Sequence, residues 1–294
     1  MTTIARTLST LGALGAAGLA YGLAEARSWR VQGHRLEVRP EAPTVRVLHV
    51  SDTHMKGADR AKQQWLRRLP ELVGETPDLV LATGDLLETD AGIDHAVEAL
   101  AGLQAKWGKW YVLGSHDYQL ATVPGYVRYW TGNREKVRAR SADTSRLEEG
   151  LKEGGWRPLT NTTETIETPA GRIRLTGVDD PYIKRHRTGH IVREAGDDLA
   201  IGLVHAPEVV SDYALRGYDL VLAGHTHGGQ VRIPGAGAVV TNCSLPCGIA
   251  AGPSRIGSTW LHVSPGIAQG KFAPIRFNCR PEATLLELVP GTHT

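Results

Sequence analysis

Residues 45–54 read V-R-V-L-H-V-S-D-T-H. Val45, Val47, Leu48 and Val50 are strand formers, and the run stops at Ser51. A carboxylate and an imidazole follow at once, Asp52 and His54. An apolar run that ends on polar side chains is the pattern of a buried strand with working groups at its carboxyl end. Two later stretches repeat it. Residues 78–85, D-L-V-L-A-T-G-D, end on Asp85, and residues 110–117, W-Y-V-L-G-S-H-D, end on Ser115, His116 and Asp117. Between them lie helical spacings, over 60–73 (Ala61, Trp65, Leu66, Leu69 and Leu72, closed by Gly74) and over 91–104. The β-α-β-α-β order predicts parallel strands with helices on their faces.

Farther along, 118–150 interrupts the alternation with polar sequence and turn signals at Pro124-Gly125 and Gly132-Asn133, and is read as an insertion. Then 172–178 alternates as a half-buried strand, 199–204 and 220–223 are apolar strands, and a helix is expected after Pro207. The last third is punctuated by Gly and Pro, with strand-like runs at 237–241, 258–263, 275–278 and 283–288. This mixture predicts two packed sheets flanked by helices. Two further strand ends carry imidazoles, at Val204-His205 and at Gly224-His225-Thr226-His227.

The 294 residues, 41% hydrophobic and 22% charged, are enough for a sizeable core. A net charge of +2 without a long basic stripe gives no reason to expect a nucleic-acid partner. Three cysteines exclude a disulfide framework. Cys243 and Cys247 lack a second pair at zinc-finger spacing and are read as small apolar residues. Oligomeric state is not legible.

Nothing between Arg6 and Glu25 is charged. Residues 8–24 fit a signal peptide with Ala24-Glu25-Ala26 as its cleavage site. They equally fit a single N-terminal membrane anchor, with Gly18 and Gly22 on one face and Tyr21 and Trp29 near an interface. A plain N-terminal helix is the third reading. Arg27, Arg30, Arg35 and Arg39 favour a cytoplasmic body under the anchor reading, whereas cleavage implies export. The side of the membrane stays open. In each case 1–40 is expected to lie outside the catalytic domain, which would span 41–294.

The five strand ends together carry three carboxylates and five imidazoles. Mixed carboxylate and imidazole ligands suit Mn, Fe or Zn better than Ca or Mg. The set is too large for one tetrahedral ion with an open position. Two divalent ions, ~3.5–4 Å apart and sharing a carboxylate, use it better. Such a pair activates water and clamps the oxygens of an in-line displacement at phosphorus.

The ordered set D-x-H at 52–54, G-D at 84–85, G-S-H-D at 114–117, His205 and G-H-T-H at 224–227 resembles the calcineurin-like metallophosphoesterase family over roughly 45–290. G-H-T-H-G-G-Q at 224–230 and N-C-R-P-E at 278–282 are similar, more narrowly, to a bacterial branch of membrane-associated phosphohydrolases. The resemblance implies an α/β fold, a four-layer α/β/β/α sandwich with two mixed β-sheets. It implies a first ion on Asp52, His54 and His227, Asp85 as the bridge, and a second ion on His205 and His225. A metal-bridging hydroxide would be the nucleophile. His116 would meet the leaving-group oxygen or the phosphoryl group, and Asp117 would orient it. The implied activity is hydrolysis of a phosphomonoester, phosphodiester or pyrophosphate.

Ser115 departs from the family, which usually has a ligating Asn there. Three outcomes are open: Ser115 acts through a water, His116 turns inward as the ligand, or the second ion is held weakly. A non-catalytic, phosphoesterase-like module for protein interaction is the rival class, and the otherwise complete ligand set argues against it. A Ser115–His116 nucleophilic dyad is disfavoured because such partners are normally distant in sequence. Residues 118–146 carry Tyr118, Tyr126, Tyr129 and Trp130, then Arg134, Lys136, Arg138, Arg140 and Arg146, and a second basic run is 184–187. These are either a solvated loop or a cap in which Arg134, Arg138 and Arg140 meet substrate. With a membrane-seeking N-terminus, the cap reading makes a lipid-linked phosphate a candidate substrate.

Overall fold

Strands buried on both faces build the molecule, a computed structural model that describes residues 3–57, 59–120, 140–270 and 273–292, with side chains from residue 9. Strand β1 is Arg30–Val38, β2 Val45–Val50, β3 Leu79–Thr83 and β4 Gly108–Val112. Short β5 (Gln119–Leu120) and β6 (Arg140–Ser141) pair with each other at the two ends of the insertion. Then come β7 Trp156–Pro158, β8 Thr162–Thr168, β9 Gly171–Gly177, β10 Leu199–Leu203 and β11 Leu220–Ala223. A small ribbon joins β12 Arg232–Ile233 to β13 Gly237–Ala238. The chain closes with β14 Gly252–Ile256, β15 Thr259–Val263 and β16 Glu282–Pro290.

One six-stranded sheet has the order β1-β16-β2-β3-β4-β7 and the other β14-β15-β11-β10-β9-β8. Both are mixed. In the first, β2, β3, β4 and β7 run parallel and β16 opposes β2. In the second, β15, β11, β10 and β9 run parallel, with antiparallel edges β14 and β8.

The period of two along each strand sorts side chains into separate layers. From β2, β3 and β4, Val47, Leu79, Leu81, Trp110 and Val112 point to the space between the sheets, where they meet Leu175, Leu199, Ile201, Leu220 and Leu222 of the second sheet. Their neighbours Leu48, Val50, Val80, Ala82 and Tyr111 point outward to a helical layer containing Leu66, Ile93, Ala96 and Leu100. On the far side, Ala200, Val221 and Ala223 pack under Val210 and Tyr213. Two sheets and two helical layers make the four-layer α/β/β/α sandwich. Because the inner strands are parallel, their carboxyl ends line up along one edge.

Several expectations need correction. The helix over 60–73 is two pieces, Arg60–Arg67 and Leu69–Val73, because Pro70 has no N–H to continue the first ladder. The insertion is not irregular throughout: Thr144–Glu153 is a helix, capped where Asp143 accepts from the Arg146 amide, and it buries Leu147 and Leu151. The boundary at residue 40 fails at its inner side, since Arg30–Val38 pairs along its whole length with β16. Leu36 and Val38 of that edge strand are buried and Val31 packs half-buried against the outer core, while Arg35 and Glu37 face solvent. Charge on an edge guards against stray pairing, and it disguised the strand. The run 275–278 makes only an isolated bridge, Val231 to Phe277, and 237–241 shrinks to Gly237–Ala238.

The segment 8–24 lies within a helix, Thr3–Glu25. Among the described residues no helix is long and apolar enough to cross a membrane. Glycine and alanine dilute this one, and Leu11, Leu14, Leu19 and Leu23 are exposed. Its inner end docks on the body. The Arg276 amide donates to Gly22 O at 3.0 Å, and Tyr21 meets Phe277 edge to face at 5.0 Å.

Leu286 on β16 is fully buried between the sheets. Leu286→Ala should cost ~2–5 kcal/mol of unfolding free energy, by lost transfer energy plus the cavity left behind. Urea denaturation should show a lower midpoint at unchanged slope.

Candidate metal centre

The strand ends are stitched together by backbone bonds before any side chain is considered. The Asp52 amide donates to Gly84 O at 3.0 Å, His54 to Asp85 O at 3.0 Å, and Gly224 to His205 O at 2.9 Å. The chain pays for this in backbone conformation. Asp52, His54, Asp85, His225 and His227 have φ of 51°, 39°, 50°, 69° and 49°. For a non-glycine residue the left-handed region costs ~1–2 kcal/mol. It persists where the surroundings over-determine it, typically at working sites. Gly84, at φ 83°, has no such choice: a Cβ there would run into the backbone of Leu113 and Gly114.

Two ligand-capable groups result, Asp52–His54–His227 and Asp85–His205–His225. In the first, Asp52 Oδ1 is 3.9 Å from His54 Nε2 and 3.8 Å from His227 Nε2. In the second, His205 Nε2 is 3.2 Å from Asp85 Oδ2 and 3.3 Å from His225 Nδ1. Asp85 Oδ2 is also 3.7 Å from His54 Nε2, so one carboxylate oxygen faces both groups.

Backbone carbonyls fix the imidazoles. His205 Nδ1 donates to Thr83 O at 2.6 Å, His225 Nε2 to Asn242 O at 2.9 Å, and His227 Nδ1 to Ala268 O at 2.9 Å. A carbonyl only accepts, so each of these nitrogens carries a proton and the other nitrogen faces inward, where it can ligate once it holds no proton of its own. Ala268 O also receives the guanidinium of the fully buried Arg276, which braces the loop that holds His227.

The residues fit divalent ions on their own chemistry. His54 Nε2, His116 Nδ1 and Glu88 Oε1 are buried without a hydrogen-bond partner. Orphaned polar atoms at such depth are costly unless something binds them. Between themselves the groups polarise strongly. Burial alone would raise Asp85, but the neighbouring His205 and His116 outweigh it and hold the carboxyl well below its usual range. Burial would lower His205, and Asp85 outweighs it and holds the ring well above. His225, buried and beside His205, is pushed down to about 3, and burial with His54 pushes His227 well below its usual value.

The remaining sequence candidates divide. The His116 ring packs edge-on to His54 at 4.7 Å, and its amide donates to Asp85 Oδ1 at 2.8 Å. Ser115 is buried at the start of the one-turn helix Ser115–Tyr118. Asp117 has a different partner set from the one expected. Its carboxylate accepts from the amides of Leu86 at 2.8 Å, Leu87 at 3.0 Å and Gly114 at 2.9 Å, tying the β3 loop to the β4 loop. Burial, then the charge of Asp85, pushes it up to about 7. The carboxylate beside the His116 ring is that of Glu88, 3.9 Å from Nδ1 and 2.9 Å from His54 Nδ1. His54, Glu88 and His116 form another ligand-capable group.

Glu88 escaped the sequence reading because its only local mark is a place three residues after Asp85. The chain beyond Asp85 runs parallel to 52–55, with Met55 bridged to Leu87, and this brings Glu88 beside His54. Arg134 and Arg138 lie outside the described residues, as do Tyr126, Tyr129, Trp130 and Lys136. Arg140 is described, 77% exposed and 3.5 Å from Asp90. Closer in, Arg185 stacks 4.0 Å over the Tyr118 ring, and both bond to Asp179. A cavity of about 370 Å³ opens there, lined by Tyr118, Gln119, Ser141, Thr144 and Arg185. Cys243 and Cys247 are half-buried free thiols.

The chain belongs to the calcineurin-like phosphoesterase family, whose sequence profile matches residues 45–229. It is thereby a metal-dependent phosphoesterase by class. It is 28% identical over 199 residues to the metallophosphoesterase YkoQ of Bacillus subtilis (strain 168), covering 66% of this chain and 65% of YkoQ. It is 28% identical over 222 residues to the phosphodiesterase YaeI of Escherichia coli (strain K12), covering 74% and 72%. A protein of Bos taurus named a transmembrane protein with metallophosphoesterase domain is 26% identical over 275 residues, 87% of this chain and 55% of that one.

Asp180, fully buried, has one oxygen on the Tyr182 amide at 3.0 Å and the other unpartnered. Burial, helped by Asp85 and opposed by His205, pushes it up to about 7. The unfolded value is roughly 3.9. The native state therefore holds an extra proton between these limits, and stability falls as pH rises through about 7. Asn keeps the acceptor and removes the charge. In chelator-treated protein, Asp180→Asn should melt close to wild type near about pH 4 and progressively higher than wild type as pH rises to about 8, since ionisation is the only difference. A gap independent of pH would contradict this.

Proposed function

We propose that the protein hydrolyses a phosphodiester with two divalent ions, the first on Asp52, His54 and His227 and the second on His205 and His225. Asp85 is the shared ligand. The observation that carries this is the placement of Asp85 Oδ2, 3.7 Å from His54 Nε2 and 3.2 Å from His205 Nε2. The name of the Escherichia coli relative supports a diester over a monoester or pyrophosphate. When bound, such ions would activate water and neutralise charge on the phosphoryl oxygens. Mn, Fe and Zn all suit the ligands.

The chain's own part is to orient and to move a proton. Thr83, Asn242 and Ala268 carbonyls keep three imidazoles in the tautomer that faces inward. Glu88 does the same for His54 from the other side. His116, whose side chain is 24% exposed, is the open imidazole at the rim, and it would donate to the leaving oxygen. Asp117 holds the loop that presents it. Tyr118 and Arg185 line the adjoining cavity, where an aromatic face and a cation suit the rest of a phosphorylated substrate.

Asp85→Asn should remove both ions, measured as metal content, and abolish turnover of a chromogenic phosphodiester. A full ion complement in that variant would sink the shared-ligand reading. Glu88→Gln should keep the ions and cost ~10–100-fold in activity or metal affinity, the usual effect of losing an outer partner of a ligating histidine.

Membrane association through 8–24, with a lipid-linked substrate, belongs to the same proposal. It is supported by the exposed leucines of the N-terminal helix and by the name of the Bos taurus relative. The full chain should co-sediment with anionic vesicles, and Leu11→Ser with Leu14→Ser should reduce that several-fold. Equal sedimentation of the two proteins would remove the membrane from the account.

A further inference from the structure

The layer between the sheets is hydrocarbon along most of its depth, but near the metal edge it becomes polar. His49 on β2, Thr83 at the end of β3, Thr284 on β16 and His262 on β15 all turn into it and are fully buried. Three of them, Thr83, His49 and His262, belong to a directed chain that starts from Asp52. Ser51 Oγ donates to Asp52 Oδ2 at 2.6 Å, and Thr83 Oγ1 donates to Ser51 Oγ at 2.8 Å. Each hydroxyl has one proton, now spent. Thr83 must therefore accept from His49 Nε2, 2.8 Å away. Buried and neutral, His49 then has a bare Nδ1, and it faces His262 Nδ1 at 3.0 Å. His262 Nδ1 is the donor.

The direction of the chain leaves His262 Nε2 as a lone pair. That atom is buried and has no hydrogen-bond partner. Protonating it instead would bury an imidazolium with an orphan N–H, which costs more. His262 belongs to a group with His34 and Glu282 whose ligand atoms all lie within 4.8 Å of one another, and Nε2 is the nitrogen that the chain leaves free for it. His34, on edge strand β1, is half-buried and opens the group to solvent. Glu282 is held as ligating carboxylates usually are. Arg30 Nε and Nη2 both donate to Oε2, at 2.9 and 2.8 Å. Oε1 receives only a 3.4 Å contact from Thr284 Oγ1.

We propose that His34, His262 and Glu282 form a separate divalent-cation site. Two imidazoles and one carboxylate, with the fourth position to water, are a zinc-type set. The site pins edge strand β1 and its neighbour β16 in one sheet to β15 of the other. Its cation, drawing density from His262, strengthens every donor down the chain to Asp52. The site stands independently of the two-ion reading of the main centre.

Zinc alone is the probe. Full-length protein is stripped with chelator, reloaded with zinc and counted, as wild type, His34→Ala, Asp85→Asn and the double variant. His34→Ala should carry one zinc fewer than its parent in both backgrounds. Asp85→Asn should still bind one zinc that the double variant lacks, and that zinc should raise its melting temperature. Failure of the main-centre reading would show instead as an Asp85→Asn protein with undiminished zinc. If His34→Ala matches its parent in both backgrounds, the proposal is wrong. Should a variant not fold, wild type decides by itself: stoichiometric zinc should protect His34 from an acylating histidine reagent, and absence of protection overturns the site.

Discussion

Everything at the working edge depends on the carboxylate of Asp85. It stands at the end of a strand in one sheet and faces a histidine at the end of a strand in the other, 3.2 Å from His205 Nε2. Its other oxygen accepts the His116 amide at 2.8 Å and so sets where the third loop begins. Such a pair buried in a dry layer is favourable only while opposite charges and hydrogen bonds surround it. The neighbouring loops supply these, and they are fixed in turn by Asp117, whose carboxylate gathers three amides. Metal chemistry and loop geometry thus share one electrostatic anchor.

The sandwich makes that anchor available. Parallel strands bring their carboxyl ends to one edge, and two sheets facing each other double the number of side chains that meet there. The layer between them is dry where Leu81, Leu175 and Leu286 interdigitate, and polar within a strand's length at His49 and His262. The low dielectric of the first region strengthens the interactions of the second.

Strands with both faces buried were plain in the sequence. Residues 79–82, 199–203 and 220–223 are continuous apolar runs bounded by polar groups, and they fold accordingly. The six residues expected to hold ions were legible because each ends such a run, and they gather in space. What was hidden depends on distance in sequence. Strand β1 carries edge charges and buries only Leu36 and Val38 among its apolar side chains. Glu88 has its meaning only through the parallel run of the loops after β2 and β3, which bridges Met55 to Leu87. Asp117, next to His116 in sequence, looked like its partner, yet the turn of helix sends its carboxylate to the amides of Leu86 and Leu87 in the β3 loop and of Gly114 in its own. Arg276 resembled part of a strand, but its side chain braces the carbonyl that holds His227.

The left-handed backbone at Asp52, His54, Asp85, His225 and His227 bears on how this edge can change. Asn, Asp and His tolerate that conformation better than other side-chained residues. An alanine put there would remove a ligand and also strain the loop, so its effect would confound metal with main chain. Asparagine exchanges would separate the two. By the same reasoning, drift at these positions is channelled toward asparagine and glycine: a descendant that had given up its ions would keep the shape of the loops and record the loss in those residues.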